Sequence, residues 1–176
     1  MKTHPIRVIG LDTGTRTGVA WTDEFRASPS NSTYWDLKDV YVKHEPRGAR
    51  WMRFRELLGD LIEGSPTAGV QSRFASFIFY EEIKFASSYN AAHSYHSLIA
   101  QVEELCIKTH SLCFGVSPFD MKWFATKNRK AGKNKMIEAA NKRYGCNLAD
   151  DNQVDALFAL EVGLEEMQNE PERFWL

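Results

Sequence analysis

The chain begins with three short apolar segments that are separated by polar turns. The first segment ends at Asp12, and the turn that follows, residues 13–18, contains two glycines and three threonines. Glycine and hydroxyl residues between apolar runs are typical of a hairpin loop. A polar loop then precedes a segment of alternating residues. The pattern predicts antiparallel strands over residues 6–11, 19–21 and 34–43.

Two longer segments have the apolar spacing of amphipathic helices, and each of them is followed by a further strand. A Gly-Ser-Pro cluster at 64–66 ends the first helix. The fourth strand is strongly apolar and runs directly into Glu81 and Glu82. The predicted helices cover residues 49–63 and 91–108, and the predicted strands cover residues 74–80 and 112–116.

The remaining third of the chain predicts three helices. Ser117 and Pro118 are a typical helix cap and first helical residue, and a glycine-bearing basic loop follows at 126–134. The helices cover residues 117–124, 135–144 and 150–167. The order of elements predicts an α/β protein with a mixed five-stranded sheet flanked by helices. We expect residues 1–176 to form one domain, with an acidic C-terminal tail at about 165–176.

Composition agrees with a globular protein. The chain has 176 residues, of which 43% are hydrophobic and 26% are charged. Its apolar runs are shorter than the roughly 20 residues that span a bilayer, and its first segment is too short for a signal peptide. We therefore expect a cytoplasmic protein with no membrane partner. Its three cysteines lack metal-site spacing, so we expect free thiols.

The net charge of −1 hides a strong asymmetry. Residues 122–143 contain eight basic residues and one acidic residue, whereas residues 149–176 contain eight acidic residues and one basic residue. A basic segment of this kind is either a solvated face or a contact surface for an anionic partner. Charge alone does not distinguish the two.

Four carboxylates lie where predicted elements begin or end: Asp12, Glu81, Asp151 and Asp155. The two helix aspartates are four residues apart and therefore share a helix face. Unpaired carboxylates beside a buried stripe cost free energy unless a cation compensates them, and hard oxygen ligands suit Mg²⁺ or Mn²⁺. Alternatively, the helix acids serve as a cap and the glutamate as a charged strand exit.

Four segments together resemble the motifs of RuvC-like Holliday junction resolvases. IGLDTGTRTGVAW is similar to the first motif and FIFYEEIKF to the second. VSPFDMKWFATKNRKAGKNKM resembles the lysine-bearing DNA-contact segment, and LADDNQVDALFALEVG resembles the last motif, most closely in its phage-type form. The motifs occur in the family's order from residue 9 to residue 163. This resemblance implies an RNase H-like nuclease fold.

The resemblance also implies a site and a reaction. Asp12, Glu81 and Asp155 match the family's metal ligands, and we place the fourth ligand at Asp151. Two Mg²⁺ ions, with Mn²⁺ as a substitute, would serve the hydrolysis of a phosphodiester bond. The implied enzyme is a homodimeric crossover junction endodeoxyribonuclease that cuts two strands of a four-way junction symmetrically.

Two ligand positions stay open within the resemblance. Many relatives carry an acid or histidine three residues before the last aspartate, which here is Asn152. Glu82 replaces Glu81 if the strand register shifts by one residue. Thr13 replaces a proline common in relatives, a change that we expect to be tolerated.

The DNA-contact segment supplies the cations. We expect Lys133 and Lys135 to bind phosphate near the scissile bond and so to be catalytic. We expect the aromatic residues Phe119, Trp123 and Phe124 to contribute to packing rather than to base stacking. The expected DNA-binding residues are Lys122, Lys127, Arg129, Lys130, Lys133 and Lys135.

Three other functions fit parts of the chain. The Asp-Thr-Gly-Thr sequence also resembles the phosphate loop of sugar kinases and actin-like ATPases, but these need two such domains, so we expect no nucleotide cofactor. A non-catalytic junction-binding module would gain nothing from clustered carboxylates. A nuclease of the same fold that acts on flaps, other branched DNA or RNA–DNA hybrids is the more serious alternative.

The remaining expectations concern partners and place of action. Branched DNA and a second copy of the chain are the expected partners, with the helices at 47–62 and 91–108 as the dimer surface. Arg50, Arg53 and Arg55 would then either contact the centre of the junction or form an exposed polar face. A phage-type match implies action in the cytoplasm of an infected bacterium.

Overall fold

Five strands form one mixed sheet. The computed structural model describes residues 6–23, 31–38, 46–63, 75–83 and 88–174. The strands are β1 (Ile6–Asp12), β2 (Arg16–Thr22), β3 (Asn31–Asp36), β4 (Ala75–Glu81) and β5 (Leu112–Val116). Their order in the sheet is β3-β2-β1-β4-β5, in which β1, β2 and β3 are antiparallel neighbours and β4 and β5 run parallel to β1. The predicted mixed five-stranded sheet is thereby confirmed.

Helices cover both faces of the sheet. The helices are α1 (Arg47–Glu63), α2 (Tyr89–Thr109), α3 (Pro118–Thr126), α4 (Lys133–Tyr144) and α5 (Asp151–Asn169). Helices α3, α4 and α5 share one apolar core with the sheet, and α1 and α2 share a second core on the opposite face. Because strand side chains alternate between faces, Val8 belongs to the α5 core and Ile9 to the α1 core. Among the described helices, none is long and apolar enough to cross a bilayer.

The register of β1 and β4 determines where two of the acids lie. Leu11 pairs with Tyr80 in the parallel ladder, so Asp12 and Glu81 follow at the carboxyl ends of neighbouring strands. Both acids continue the alternation toward the α5 face, after Gly10 and Phe79 respectively. The two carboxylates therefore meet at one edge of the sheet, beneath α5.

Several predicted boundaries were wrong by a few residues. Strand β2 begins at Arg16, because the chain needs only residues 13–15 to turn. Strand β3 starts at Asn31 rather than residue 34, since residues 31–36 pair along β2. Residues 39–43 of that prediction lie outside the described part of the chain. Helix α4 begins at Lys133 rather than Lys135, so the basic loop is shorter than expected.

The expected acidic tail is largely built into the fold. Helix α5 continues to Asn169, and a single 3₁₀ turn at Pro171–Arg173 follows it. Phe174 is then buried against the sheet, with its ring centroid 4.9 Å from that of Phe114 and 6.1 Å from that of Phe79. The acidic residues of this segment therefore lie on the end of α5 and on the short turn that follows it. Residues 175 and 176 lie outside the described residues.

Candidate active site

Helix α5 lies unusually close to β1 and β2, because two strand glycines leave room for its backbone. A Cβ atom on Gly18 would lie 1.8 Å from the carbonyl oxygen of Asn152, and one on Gly10 would lie 2.1 Å from that of Ala156. Real side chains do not reach such distances, so both positions exclude any larger residue. The close approach places the first turns of α5, with Asp155, above the end of β1.

Three of the predicted acids converge at this point. One carboxylate oxygen each of Asp12, Glu81 and Asp155 lies within 4.8 Å of the other two. The three side chains line an open cleft of about 360 Å³ between the sheet edge, α3, α4 and α5. The cleft is also lined by Pro118, Met121, Lys122, Ala131, Gly132, Lys133, Met136, Asp151 and Asn152.

Burial and mutual repulsion make these carboxylates costly to ionise. Burial raises the pKa of Asp12 well above its usual range, and the negative charges of Glu81 and Asp155 raise it further. Burial, followed by the charge of Glu81, raises the pKa of Asp155 to about 7. Among the described residues, Lys122 and Lys133 oppose this rise in the pKa of Asp155 only in part.

Asp151 lies in the same cleft but has a partner. The Lys133 ammonium group donates a hydrogen bond to the Asp151 carboxylate. This contact lowers the pKa of Asp151 and raises the pKa of Lys133. The residue before it, Asp150, caps α5 by accepting a hydrogen bond from the Gln153 amide, and it also pairs with Arg16 at 2.9 Å.

The structure separates Glu81 from its neighbour. Glu81 lines the acidic cleft, whereas Glu82 is exposed and its Cβ and Cγ atoms lie near Gly115 on β5. The amide of Glu82 bonds the Val116 carbonyl at 2.8 Å, which continues the β4–β5 ladder. Of the two open alternatives, Glu81 is the residue that faces Asp12.

A tyrosine from the opposite face of the sheet holds the backbone that carries Glu81. The Tyr95 hydroxyl donates to the Glu81 carbonyl and accepts from the Ile83 amide, both at 3.1 Å. The hydrogen bonds fix the chain on both sides of Glu82. The sequence placed Tyr95 only on a buried helix stripe, and no local signal distinguishes a packing tyrosine from one that positions a strand end.

The predicted cations fall into three places. Lys122 and Lys133 line the acidic cleft. Lys135 instead lines a neighbouring cavity between α3 and α4, together with Lys142 and Arg143, so the structure does not bring it to the acids. The remaining cations, Lys127, Arg129 and Lys130, are exposed on the loop between α3 and α4.

The aromatic residues of α3 do not all pack as expected. Phe124 contacts the core, with its ring centroid 6.3 Å from that of Phe158. Phe119 and Trp123 are exposed, because the helix presents them away from the sheet. Two arginines of α1 make contacts within the chain: Arg53 donates to the Leu37 carbonyl and Arg55 pairs with Glu104 on α2 at 2.9 Å.

The donor set fits a hard divalent cation. Oxygen ligands at 2.0–2.6 Å from one ion lie at most about 4–5 Å apart, and the three clustered oxygens of Asp12, Glu81 and Asp155 satisfy that limit. Burial and the neighbouring negative charges disfavour the ionised form of Asp12, and a bound cation would favour that form. Carboxylates alone favour magnesium, manganese or calcium over softer metals.

Comparison with known proteins shows the fold. No protein-family profile matches the chain, and no curated protein matches it. The structure of T. thermophilus RuvC in complex with Holliday junction substrate aligns with a TM-score of 0.73 at 14% identity, over 94% of this chain and 96% of that chain. A second Thermus thermophilus RuvC structure aligns with a TM-score of 0.71 at 16% identity, over 93% and 97%. The chain has the RuvC-like, RNase H-like fold that its motifs predicted.

Proposed function

We propose that the protein is a metal-dependent endodeoxyribonuclease that resolves four-way DNA junctions by paired phosphodiester hydrolysis. The observation that carries this proposal is the convergence of the Asp12, Glu81 and Asp155 carboxylates in an open cleft with lysines on its rim. The similarity to a RuvC bound to Holliday junction substrate supports the choice of branched DNA.

In this proposal, Asp12, Glu81 and Asp155 hold divalent cations, and Asp151 completes the set of four carboxylates. Four carboxylates are enough for two Mg²⁺ ions, which Mn²⁺ would replace. When bound, such ions supply Lewis-acid chemistry that stabilises the charge developing on a phosphate during hydrolysis. The strand ends and α5 position the carboxylates before substrate arrives, so little reorganisation is needed.

Lys133 and Lys122 have a different task. The Lys133 side chain is exposed and pairs with the rim acid Asp151, so a phosphate that enters the cleft can compete for it. Lys122 lies along the same cleft and its charge opposes the raised pKa of Asp155. We assign both to the phosphate nearest the cut. We assign the remaining cations to the DNA backbone: Lys127, Arg129, Lys130 and Lys135.

Paired cutting requires two sites, and we therefore propose a homodimer in which residues 1–176 form one nuclease domain per subunit. The phage origin and the bacterial cytoplasm as place of action belong to the same proposal. A flap or general branched-DNA nuclease is the second candidate, because Phe119 and Trp123 expose aromatic rings near the cleft.

The test is a cleavage assay on end-labelled four-way junction, flap and linear duplex, in Mg²⁺, in Mn²⁺ and in EDTA. We expect symmetric paired nicks near the branch point, lost in EDTA and lost in Asp12→Asn. Glu81→Gln should abolish cleavage, whereas Glu82→Gln, a matched control one residue away, should not. Equal cutting of flaps would favour the second candidate. Tight junction binding without cleavage in either metal would contradict the nuclease proposal.

A further inference from the structure

Helix α3 presents two large aromatic side chains to solvent beside the acidic cleft. Phe119 is 59% exposed and Trp123 is 48% exposed. They are four residues apart, so their rings share one helix face, whereas Met121 and Phe124 on the same helix are packed into the core. Exposure of two adjacent aromatic rings costs free energy in water and indicates a surface that contacts a partner.

The aromatic face borders the cleft directly. At 3.6 residues per turn, Phe119 lies about 60° and Trp123 about 100° around the helix from Lys122, which lines the cleft. Pro118, next to Phe119 in the chain, lines the cleft as well. A strand that follows the cleft past Lys122 therefore reaches the two rings within one helix diameter.

Two cations lie beside the Trp123 ring. The Lys127 ammonium nitrogen lies 5.8 Å from the Trp123 ring centroid, and the Arg129 guanidinium carbon lies 5.9 Å from it. Asp120 is the acid of this face, and its carboxylate is 4.0 Å from Arg129. Flat apolar groups with positive charge around them complement a partner that is flat, apolar and anionic. An apolar protein surface would instead have to desolvate the cations without compensation.

We propose that Phe119 and Trp123 form a stacking surface for the unpaired nucleobases of single-stranded DNA, with Lys127 and Arg129 on the flanking phosphates. Bases in a duplex present only their edges, so this surface recognises nucleotides that are splayed out of pairing. The proposal relies on the proposed function for the presence of DNA at this cleft and adds the recognition of an unpaired strand beside the branch.

The experiment measures binding of a labelled single-stranded oligonucleotide by fluorescence anisotropy in EDTA, where cleavage plays no part. We expect Phe119→Ala and Trp123→Ala each to weaken binding by about tenfold, since base–aromatic stacking is lost. Tyr89→Ala removes an aromatic side chain that is more exposed, at 80%, from the start of α2 and should leave the affinity unchanged. An abasic oligonucleotide of equal length should bind the wild type and the Trp123→Ala variant equally.

Salt dependence separates the rings from the cations. Trp123→Ala should shift the plot of log affinity against log salt without changing its slope. Lys127→Ala should reduce the slope by about 0.7, the value for one phosphate contact on a single strand. Melting curves of all variants should coincide with wild type, because the replaced side chains are exposed.

Three results would overturn the inference: wild type that fails to bind single strands, aromatic variants that bind as well as wild type, or an equal loss on the abasic strand. A change of oligomeric state in Trp123→Ala would assign the face to a protein contact instead. Failure of the proposed nuclease function is seen separately, in the Mg²⁺ cleavage assay. Even if the protein cuts no DNA, base stacking would be established if Phe119→Ala and Trp123→Ala lose affinity for normal oligonucleotides but not for abasic ones.

Discussion

Asp12 occupies the most unfavourable position for a negative charge among the described residues of the cleft. It follows the last buried position of β1, and Glu81 and Asp155 are its nearest charged neighbours. Burial contributes more to its raised pKa than either neighbouring charge. The arrangement is unfavourable for folding and favourable for holding a cation, which is the balance expected of a site that serves chemistry.

This imbalance makes stability depend on pH. The Asp155 carboxyl has a pKa of about 7 in the folded chain and an ordinary value near 3.8 when unfolded. The folded state then binds the proton more tightly, so its stability falls as pH rises from about 4 to 7, and the loss is complete above 7. We expect Asp155→Asn in EDTA to raise the free energy of unfolding at pH 8 by up to about 4 kcal/mol.

Urea unfolding at pH 8 and pH 4 measures this effect. At pH 4 the variant should gain little, because the wild-type carboxyl is already protonated. Glu82→Gln, a change at an exposed glutamate, should behave like wild type at both values. Addition of Mg²⁺ should stabilise the wild type at pH 8 and not the variant. An equal gain at both pH values would show that charge is not the cause.

Lys133 and Lys135 offer a second prediction at this scale, because they are two residues apart and face different cavities. Lys133→Ala removes the cation at the acidic cleft, and we expect single-turnover cleavage at saturating protein to fall by about 100-fold. Lys135→Ala should leave that rate unchanged and weaken junction binding, with a salt slope smaller by about 0.9. Equal effects on the rate would place both lysines at the reacting phosphate.

At the scale of elements, the contact between α5 and the β1–β2 pair positions the site. The sequence pattern predicts Gly18 as part of a turn. In the structure it belongs to β2 and packs directly against the α5 backbone at Asn152. The backbone cannot yield as a flexible side chain does. The helix would therefore have to move outward if this glycine were replaced, and Asp155 would move with it.

We accordingly expect Gly18→Ala to destabilise the protein by about 1–3 kcal/mol and to abolish cleavage. Gly59→Ala is the matched control, since a Cβ atom at this α1 position meets nothing within 4 Å. That control should be neutral or gain about 0.5–1 kcal/mol, because alanine loses less backbone entropy in a helix. Thermal unfolding compares the two. A tolerated Gly18→Ala would contradict the close packing of α5.

Helix α2 acts on the site through Tyr95. Tyr95→Phe keeps the ring and removes the hydroxyl that joins the Glu81 carbonyl to the Ile83 amide. We expect a loss of about 1–2 kcal/mol in stability and a higher Mg²⁺ concentration for half-maximal cleavage, because Glu81 is held less firmly. Tyr89→Phe, at an exposed tyrosine of the same helix, should change neither. An unchanged Mg²⁺ requirement would reduce Tyr95 to a packing residue.

At the scale of the whole molecule, the C-terminal segment closes one core. Phe174 lies between α5 and the sheet, beside Phe77, Phe79 and Phe114. We expect Phe174→Ala to destabilise by about 3–5 kcal/mol, the cost of an aromatic ring lost from a core. Phe119→Ala deletes the same side chain from an exposed position and should stay within about 0.5 kcal/mol of wild type. Denaturant unfolding measures both losses of stability. An equally small loss in Phe174→Ala would show that the C-terminal segment does not contribute to the core.

Much of this fold was accessible from local patterns. The strand alternation, the helical spacing and the cap at Ser117 predicted each element and, with the motif order, the class of sheet. Asp12 and Glu81 were found because each ends a buried strand, and Asp155 because it shares a helix face with Asp151. These features depend on residues close together in the chain, where the period of the backbone limits the outcome.

The sequence by itself determined the type and order of the elements and the identity of the acids, since both follow from short-range periodicity and residue chemistry. Only the tertiary structure decided which residues face one another: Glu81 rather than Glu82 toward Asp12, and Lys133 rather than Lys135 toward the cleft. The exposure of Trp123 and the burial of Phe174 were likewise decided there. The physical reason is that these outcomes depend on packing between segments far apart in the chain, which a local pattern does not encode.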